Sequence, residues 1–201
     1  MQTALVALAA YLLGSISFGI VMSRAMRLPD PRSYGSKNPG ATNVLRSGSR
    51  IAAALTLAGD AGKGWLAVWL AALYTGEAPA AGLDAALAGL CVFLGHLFPV
   101  FHGFRGGKGV ATAAGVLLGI DPWLAAATLA TFAAVAAIFR MVSLASIIAA
   151  LFAAFYALWL FGLRPVTATV GIMALLLVLR HRENIGRILR GEESKLGRKT
   201  A

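Results

Sequence analysis

The chain has 201 residues, 59% of them hydrophobic and 13% charged, with a mean hydropathy of +0.77. A soluble domain is nearer half apolar and a quarter charged, so the composition excludes one and points to an integral membrane protein. The net charge of +10 flanks apolar runs and is not interleaved with aromatics. That pattern excludes a nucleic-acid binder and fits positive-inside bias with anionic headgroups.

The first apolar span covers 3–23 and has no basic residue before its core. A cleavable signal peptide starts with a positive region, so a retained first helix is expected. A polar island follows, GSKNPGATNVLR from Gly35 to Arg46. Asp30-Pro31 and Asn38-Pro39-Gly40 are turn makers, which predicts a shaped loop. Ser36, Asn38, Thr42 and Asn43 offer short polar side chains, and Gly35 and Gly40 let backbone approach a ligand. A helix starting near Ala41 would put Arg46 on the face of Asn43 and turn free N–H groups near Thr42 or Asn43 toward an anion.

The second apolar run, 51–75, contains Asp60 and Lys63 at i, i+3 among Gly59, Gly62 and Gly64. Ionisable residues at membrane depth need a reason; mutual neutralisation and substrate contact both remain open. The third run, 85–102, carries the single cysteine, Cys91, expected to be a small buried hydrophobe. His96 and His102 lie near its end without Cys or carboxylate at ligand spacing, so no metal site and no cofactor is predicted. Next comes GFRGGKGVAT, Gly103 to Thr112, with bare backbone and two cations leading into a helix at Val110. It lacks the Walker A frame but shares its logic, and Lys108 and Thr112, four apart, could address one phosphate.

The run 110–120 is too short for a crossing of about 20 residues. It is either a half-helix or joins 123–139 through Asp121-Pro122. Spans at 142–162 and 165–180 complete the apolar set, giving a bundle of about seven transmembrane helices. The Ala-rich stretches, Ala133 to Ala137 among them, predict close helix packing. In the last island, RHRENIGRILRG from Arg180 to Gly191, His181 and Asn184 share one face of an expected interfacial helix. His181 could be a base, a phosphate donor or a helix-end cation. With seven crossings, every Lys and Arg except Lys63 and Arg164 falls on one side. The positive-inside rule then sets the N-terminus out, the C-terminus in and all three islands on the cytoplasmic face.

Five ordered blocks carry a resemblance that spans the chain: GSISFG (Gly14 to Gly19), DPRSYGSKNPGATNVLR (Asp30 to Arg46), GDAGKG (Gly59 to Gly64), GHLFPVFHGFRGGKGVAT (Gly95 to Thr112) and RHRENIGRILRGEESKLG (Arg180 to Gly197). Together they resemble the bacterial membrane acyl-phosphate:glycerol-3-phosphate acyltransferases. The resemblance implies an inner-membrane enzyme, one membrane-embedded domain over 1–201, that acylates glycerol 3-phosphate in the first step of phospholipid synthesis. Its partners would be fatty acyl phosphate, glycerol 3-phosphate and membrane lipids. No oligomeric state is set, and a monomer satisfies the sequence. Ser36, Thr42, Asn43 and Arg46 would bind and activate phosphate, with Asn38 and Gly40 in the same loop. Gly106, Gly107 and Lys108 would hold the acyl phosphate, with Thr112 beside them, and His181 and Asn184 would complete the centre. Ser36-Lys37-Asn38 departs from the family's commoner Ser-Gly-Asn, and Lys37 is left unassigned.

The expected chemistry is direct attack of the glycerol phosphate hydroxyl on the acyl carbonyl. Arg46, Lys108 and glycine N–H groups would stabilise the leaving phosphate and the oxyanion. The proton would go to His181 or to a substrate phosphate oxygen. A transporter would need more mid-bilayer polar residues than Asp60 and Lys63. A lipid-binding scaffold would not need the clustered Ser, Thr, Asn and Gly. A phosphatase would share the phosphate sites.

Overall fold

The structure is a computed structural model and describes residues 1–196; Gly197, Arg198 and Lys199 of the expected basic tail lie outside the described residues. All regular elements among the described residues are helical: α1 (Gln2–Gly14), α2 (Phe18–Ala25), α3 (Ala41–Val44), α4 (Arg50–Thr75), α5 (Leu83–Leu97), α6 (Val110–Ile120), α7 (Pro122–Phe139), α8 (Val142–Phe161), α9 (Pro165–Arg180) and α10 (Arg182–Leu189). In lipid every backbone polar group must be satisfied within the protein, and helices do this within one segment. Three helices are long and apolar enough to cross a membrane, or five if the bent pairs α1–α2 and α9–α10 each count once. The 26-residue α4 has the length but carries Asp60 and Lys63.

Glycines fix how closely the helices approach. A side chain on Gly14 of α1 would run into the Val92 carbonyl of α5, and one on Gly95 of α5 into the Tyr11 carbonyl of α1. Likewise Gly64 of α4 abuts the Thr112 carbonyl, and Gly115 of α6 abuts the Ala61 carbonyl. Small residues let backbones touch where lipid supplies no hydrophobic drive. The core between them is filled by Val68, Val92, Phe93, Leu97, Val116 and Leu124, each fully buried. Ala133 and Ala134, by contrast, are exposed on α7, so that alanine stretch is not packed as expected. Cys91 is half-buried against the core.

The short α6 has a physical reason. Its first turn meets α4 at Gly64, roughly 20 Å along α4 from Arg50 at 1.5 Å per residue. The loop before α6 therefore enters the bundle instead of lying at its end, and 11 residues complete the run. At the other end Asp121 accepts from Leu124 N (2.7 Å) as N-cap of α7, with Pro122 in its first turn. So α6 is a separate helix and does not merge with α7.

The first span is broken at Ser15–Ser17, where α1 and α2 meet at 41°. Ser15 Oγ donates to Tyr11 O (2.9 Å), a local bond that competes with helix continuation. The second bent pair turns by 58° at His181, which ends α9 and begins α10.

Candidate active site

The first polar island folds around Asn43. Its buried amide donates to Pro31 O (2.7 Å) and Tyr34 O (3.2 Å), and its Oδ1 accepts from Ser36 N (3.0 Å). A helix does begin at Ala41, but the Asn43 N–H is bonded to Gly40 O (3.0 Å). Asn43 therefore shapes the loop, and neither its amide nor its N–H is aimed at an anion. Arg46 lies over Gly35, whose φ of +57° and missing side chain make the room. Ser36, Lys37, Thr42 and Arg46 are exposed polar groups of the loop, while Asn38 Oδ1 is buried without a hydrogen-bond partner. Gly40 is the N-cap of α3. Lys37 sits at φ +55°, in the left-handed region that favours glycine, which accounts for the glycine that the resemblance leads one to expect there.

The glycine island is held from both sides. Gly106 N donates to Leu97 O (3.2 Å) and Gly107 N to His96 O (3.1 Å), the orphan carbonyls at the end of α5. Arg180 then donates from Nη2 to Gly106 O (2.9 Å) and from Nε to Gly107 O (3.2 Å). The expectation that these two glycine N–H groups face an anion fails, because α5 needs them first. What the island presents is Lys108, followed by Gly109 at φ +88° and the start of α6. A side chain on Gly109 would strike Phe93, so the chain turns there and Lys108 precedes the helix. No hydrogen bond joins Thr112 to Lys108 among the described residues. The threonine is fully buried at the α4 contact with its Oγ1 unpartnered, and it does not share a target with the lysine.

Lys108 reaches the α9–α10 corner and donates from Nζ to Asn184 Oδ1. Asn184 Nδ2 donates to Glu193 Oε1 (2.7 Å), which also accepts from Ser143 Oγ (2.7 Å); Glu193 Oε2 takes Arg187 Nε (2.8 Å). The tail is tied down further where Leu196 N donates to Arg140 O (2.6 Å). Burial raises the Glu193 carboxyl, but the three hydrogen bonds and the Arg187 charge outweigh it and hold the group below its usual value. Burial lowers Lys108, with Arg187 adding to the effect and Glu193 opposing it.

His181, just beyond the last span, is 3% exposed. Its Nδ1 lies 2.8 Å from Leu177 O, which makes Nδ1 the protonated nitrogen of the neutral ring and leaves Nε2 as an acceptor. Burial pushes the imidazole down to about 4; the Leu177 bond opposes this and the nearby Lys108 ammonium adds to it. The ring is neutral at pH 7.

Next to this corner a shallow apolar groove of about 60 Å³ runs between α6, α7, α8 and α9. It is lined by Val110 near the glycine island and Leu177 near His181, and further along by Leu117, Phe132, Ala153 and Met173. A cationic and polar corner thus lies beside an apolar groove, an arrangement that suits a ligand with a charged head and an apolar tail.

The sequence profile of the family described as glycerol-3-phosphate acyltransferase matches residues 4–191. The chain belongs to that family. A curated glycerol-3-phosphate acyltransferase of Ralstonia nicotianae is 56% identical over 197 residues, spanning 98% of this chain and 95% of that protein. One from Cupriavidus necator is 56% identical over 202 residues, spanning 99% and 98%. The crystal structure of PlsY (YgiH), an integral membrane glycerol 3-phosphate acyltransferase in its glycerol 3-phosphate form, superimposes with a TM-score of 0.90 at 37% identity, covering 98% of this chain and 96% of that one. Its lysophosphatidic acid form gives a TM-score of 0.89 at 36% identity. This chain is thus a multi-pass membrane glycerol-3-phosphate acyltransferase.

Of the family residues expected from the sequence, Lys108, His181 and Asn184 meet at one corner. Ser36, Thr42 and Arg46 form a second group on the first loop, at the same end of the bundle. No hydrogen bond or ion pair joins the two groups among the described residues. Glu193, Ser143 and Arg180 were missed. Arg180 and Glu193 lie within the quoted family blocks, and the weak signal for Glu193 was an acid in a basic tail. Ser143 gave none, being one hydroxyl in an apolar run.

Proposed function

We propose that this chain transfers a fatty acyl group from acyl phosphate to glycerol 3-phosphate, giving 1-acyl-glycerol-3-phosphate and phosphate. The observation that carries the reading is the Lys108–Asn184 contact, two residues before Val110 and close to His181, whose ring is bonded to the groove residue Leu177. Lys108, with the N-terminal end of α6, holds the donor phosphate while the acyl tail lies along the groove. Ser36, Thr42 and Arg46 hold the phosphate of glycerol 3-phosphate, on the loop that Asn38, Gly40 and Asn43 shape. Gly106 and Gly107 serve by letting the loop pass close to α5.

The acceptor hydroxyl oxygen attacks the acyl carbonyl, the bond from that carbon to the phosphate oxygen breaks, and phosphate leaves with the electron pair. Lys108 offsets the charge gathering on the leaving group. His181 Nε2 accepts a hydrogen bond from the attacking hydroxyl and orients it. At about 4 the imidazole is a weak base, so a substrate phosphate oxygen, whose second ionisation lies near 6, takes the proton.

The whole chain forms one membrane-embedded domain with seven crossings: α1–α2, α4, α5, α6, α7, α8 and α9. Cations cluster at the ends of α2, α5 and α9, which sets the N-terminus out and the active face toward the cytoplasm of a bacterial inner membrane. The test is to supply purified enzyme with glycerol 3-phosphate and either C16 acyl phosphate or C16-CoA. Acylated product and phosphate in equal amounts from acyl phosphate alone is the expected result. Product from CoA overturns the donor, and phosphate without acylated product marks a hydrolase.

A further inference from the structure

Asp60, Lys63 and His96 form a cluster of ionisable side chains inside the bundle, behind the glycine island and outside the hydrogen-bonded corner described above. Their side chains are 2%, 1% and 6% exposed. Asp60 Oδ1 lies 2.8 Å from Lys63 Nζ and 3.4 Å from His96 Nδ1. Beyond these ionic contacts neither Asp60 Oδ1 nor His96 Nδ1 has a hydrogen-bond partner among the described residues. A buried ion pair is a poor source of stability, since apolar residues of like volume often do as well; its best-attested use is to fix one arrangement over others.

What the three residues touch shows which arrangement is at stake. Lys63 Nζ donates to Ile16 O (2.6 Å), a carbonyl at the break between α1 and α2. The break aims α2, and Gly19 of α2 is pressed against the Pro39 carbonyl of the first phosphate loop. On the other side, the His96 carbonyl is the acceptor that holds Gly107 N–H (3.1 Å), and the His96 ring is packed so tightly on Gly107 that any side chain there would strike Nε2. The Asp60 carboxylate thus stands between the root of the first loop and the bed of the glycine island.

We propose that Asp60, Lys63 and His96 are positioning residues that hold the two substrate loops in register, Lys63 acting on the acceptor loop and His96 on the donor loop. The proposal rests on the acyl-transfer reading above. It assigns the triad no contact with substrate.

The experiment compares His96→Leu, His96→Asn and the double variant Asp60→Asn/Lys63→Met with wild type, as purified full-length proteins. Melting temperature and both KM values, for C16 acyl phosphate and for glycerol 3-phosphate, are measured. His96→Asn keeps an N–H where Nδ1 stood and stays near wild type. His96→Leu raises the acyl phosphate KM by about tenfold or more and leaves the glycerol 3-phosphate KM alone, since small misplacements of a binding loop carry large kinetic costs. The double variant strands no buried charge and raises both KM values. If it fails to fold, the His96 pair still decides. Folded His96 variants with both KM values unmoved, or a lowered melting temperature with unchanged turnover per folded enzyme, would make the triad merely structural and overturn the proposal. A wild type that yields no acylated product brings down the acyl-transfer reading and the proposal together.

Discussion

Lys108 donates to the Oδ1 of Asn184, while the other end of that amide is committed to Glu193. The asparagine therefore cannot turn without losing both partners, and it holds the ammonium at the α9–α10 corner. Replacing Asn184 by Leu leaves Lys108 and Glu193 each short of a partner. We expect kcat/KM to fall on the order of a hundredfold, with a stability loss of about 1–3 kcal/mol for stranded groups. Turnover with acyl phosphate and a melting curve on the same sample check both numbers.

Glu193 gathers Ser143, Asn184 and Arg187 onto one carboxylate. Its folded value is depressed, so the ionised form stabilises the fold above the unfolded value of about 4.3, and that contribution is lost as pH falls through the lower folded value. Glu193→Gln should melt earlier than wild type at pH 7. The gap should narrow as pH falls below the unfolded value and close only once pH is below the lower folded value, where both side chains are neutral. A gap that persists in acid would refute the assignment.

His181 carries the opposite kind of pH signature. An imidazole depressed to about 4 takes up its proton later in the folded than in the unfolded protein. Stability therefore falls as pH drops below the unfolded value of about 6.5, and levels off only below the folded value. Across pH 5–8 the ring itself does not titrate, so an inflection of kcat/KM in that range should survive in His181→Asn. Its disappearance there would identify His181 as the base.

Lys37 is held at φ +55°. An L-residue in that region costs about 1–2 kcal/mol, part of which glycine's extra chain entropy takes back. Lys37→Gly should raise stability by up to about 1 kcal/mol. A rise in the glycerol 3-phosphate KM of the same variant would show that the ammonium touches substrate.

Much of this was legible in the residues. The boundaries of the apolar runs and the helix start at Ala41 follow from periodicity and turn chemistry, whereas His181 and Asn184 do not share one helix, since α10 begins only after His181. The glycine island was located correctly but its wiring was not. Spacing cannot show that α5 ends with unfilled carbonyls at His96 and Leu97, and those claim the island's N–H groups. Thr112, four residues after Lys108, is sealed in the core with its Oγ1 unpartnered, and the four-residue spacing does not announce that burial. Glu193 and Ser143 meet through tertiary folding of the tail, fifty residues apart, and no local pattern announces it.

His181 stands at the 58° corner between α9 and α10, yet its ring is bonded backward to Leu177. Arg180, one residue earlier, is bound to the glycine island. The corner thus joins α9, tied to the island through Arg180, to α10, tied to Lys108 through Asn184. Were α10 to tilt outward, it would take Asn184 and Arg187 with it and release Lys108, while the imidazole and the island stayed seated. The contacts that fix the island and those that fix Lys108 thus lie on opposite sides of a single residue, so either set can be altered by substitution without touching the other.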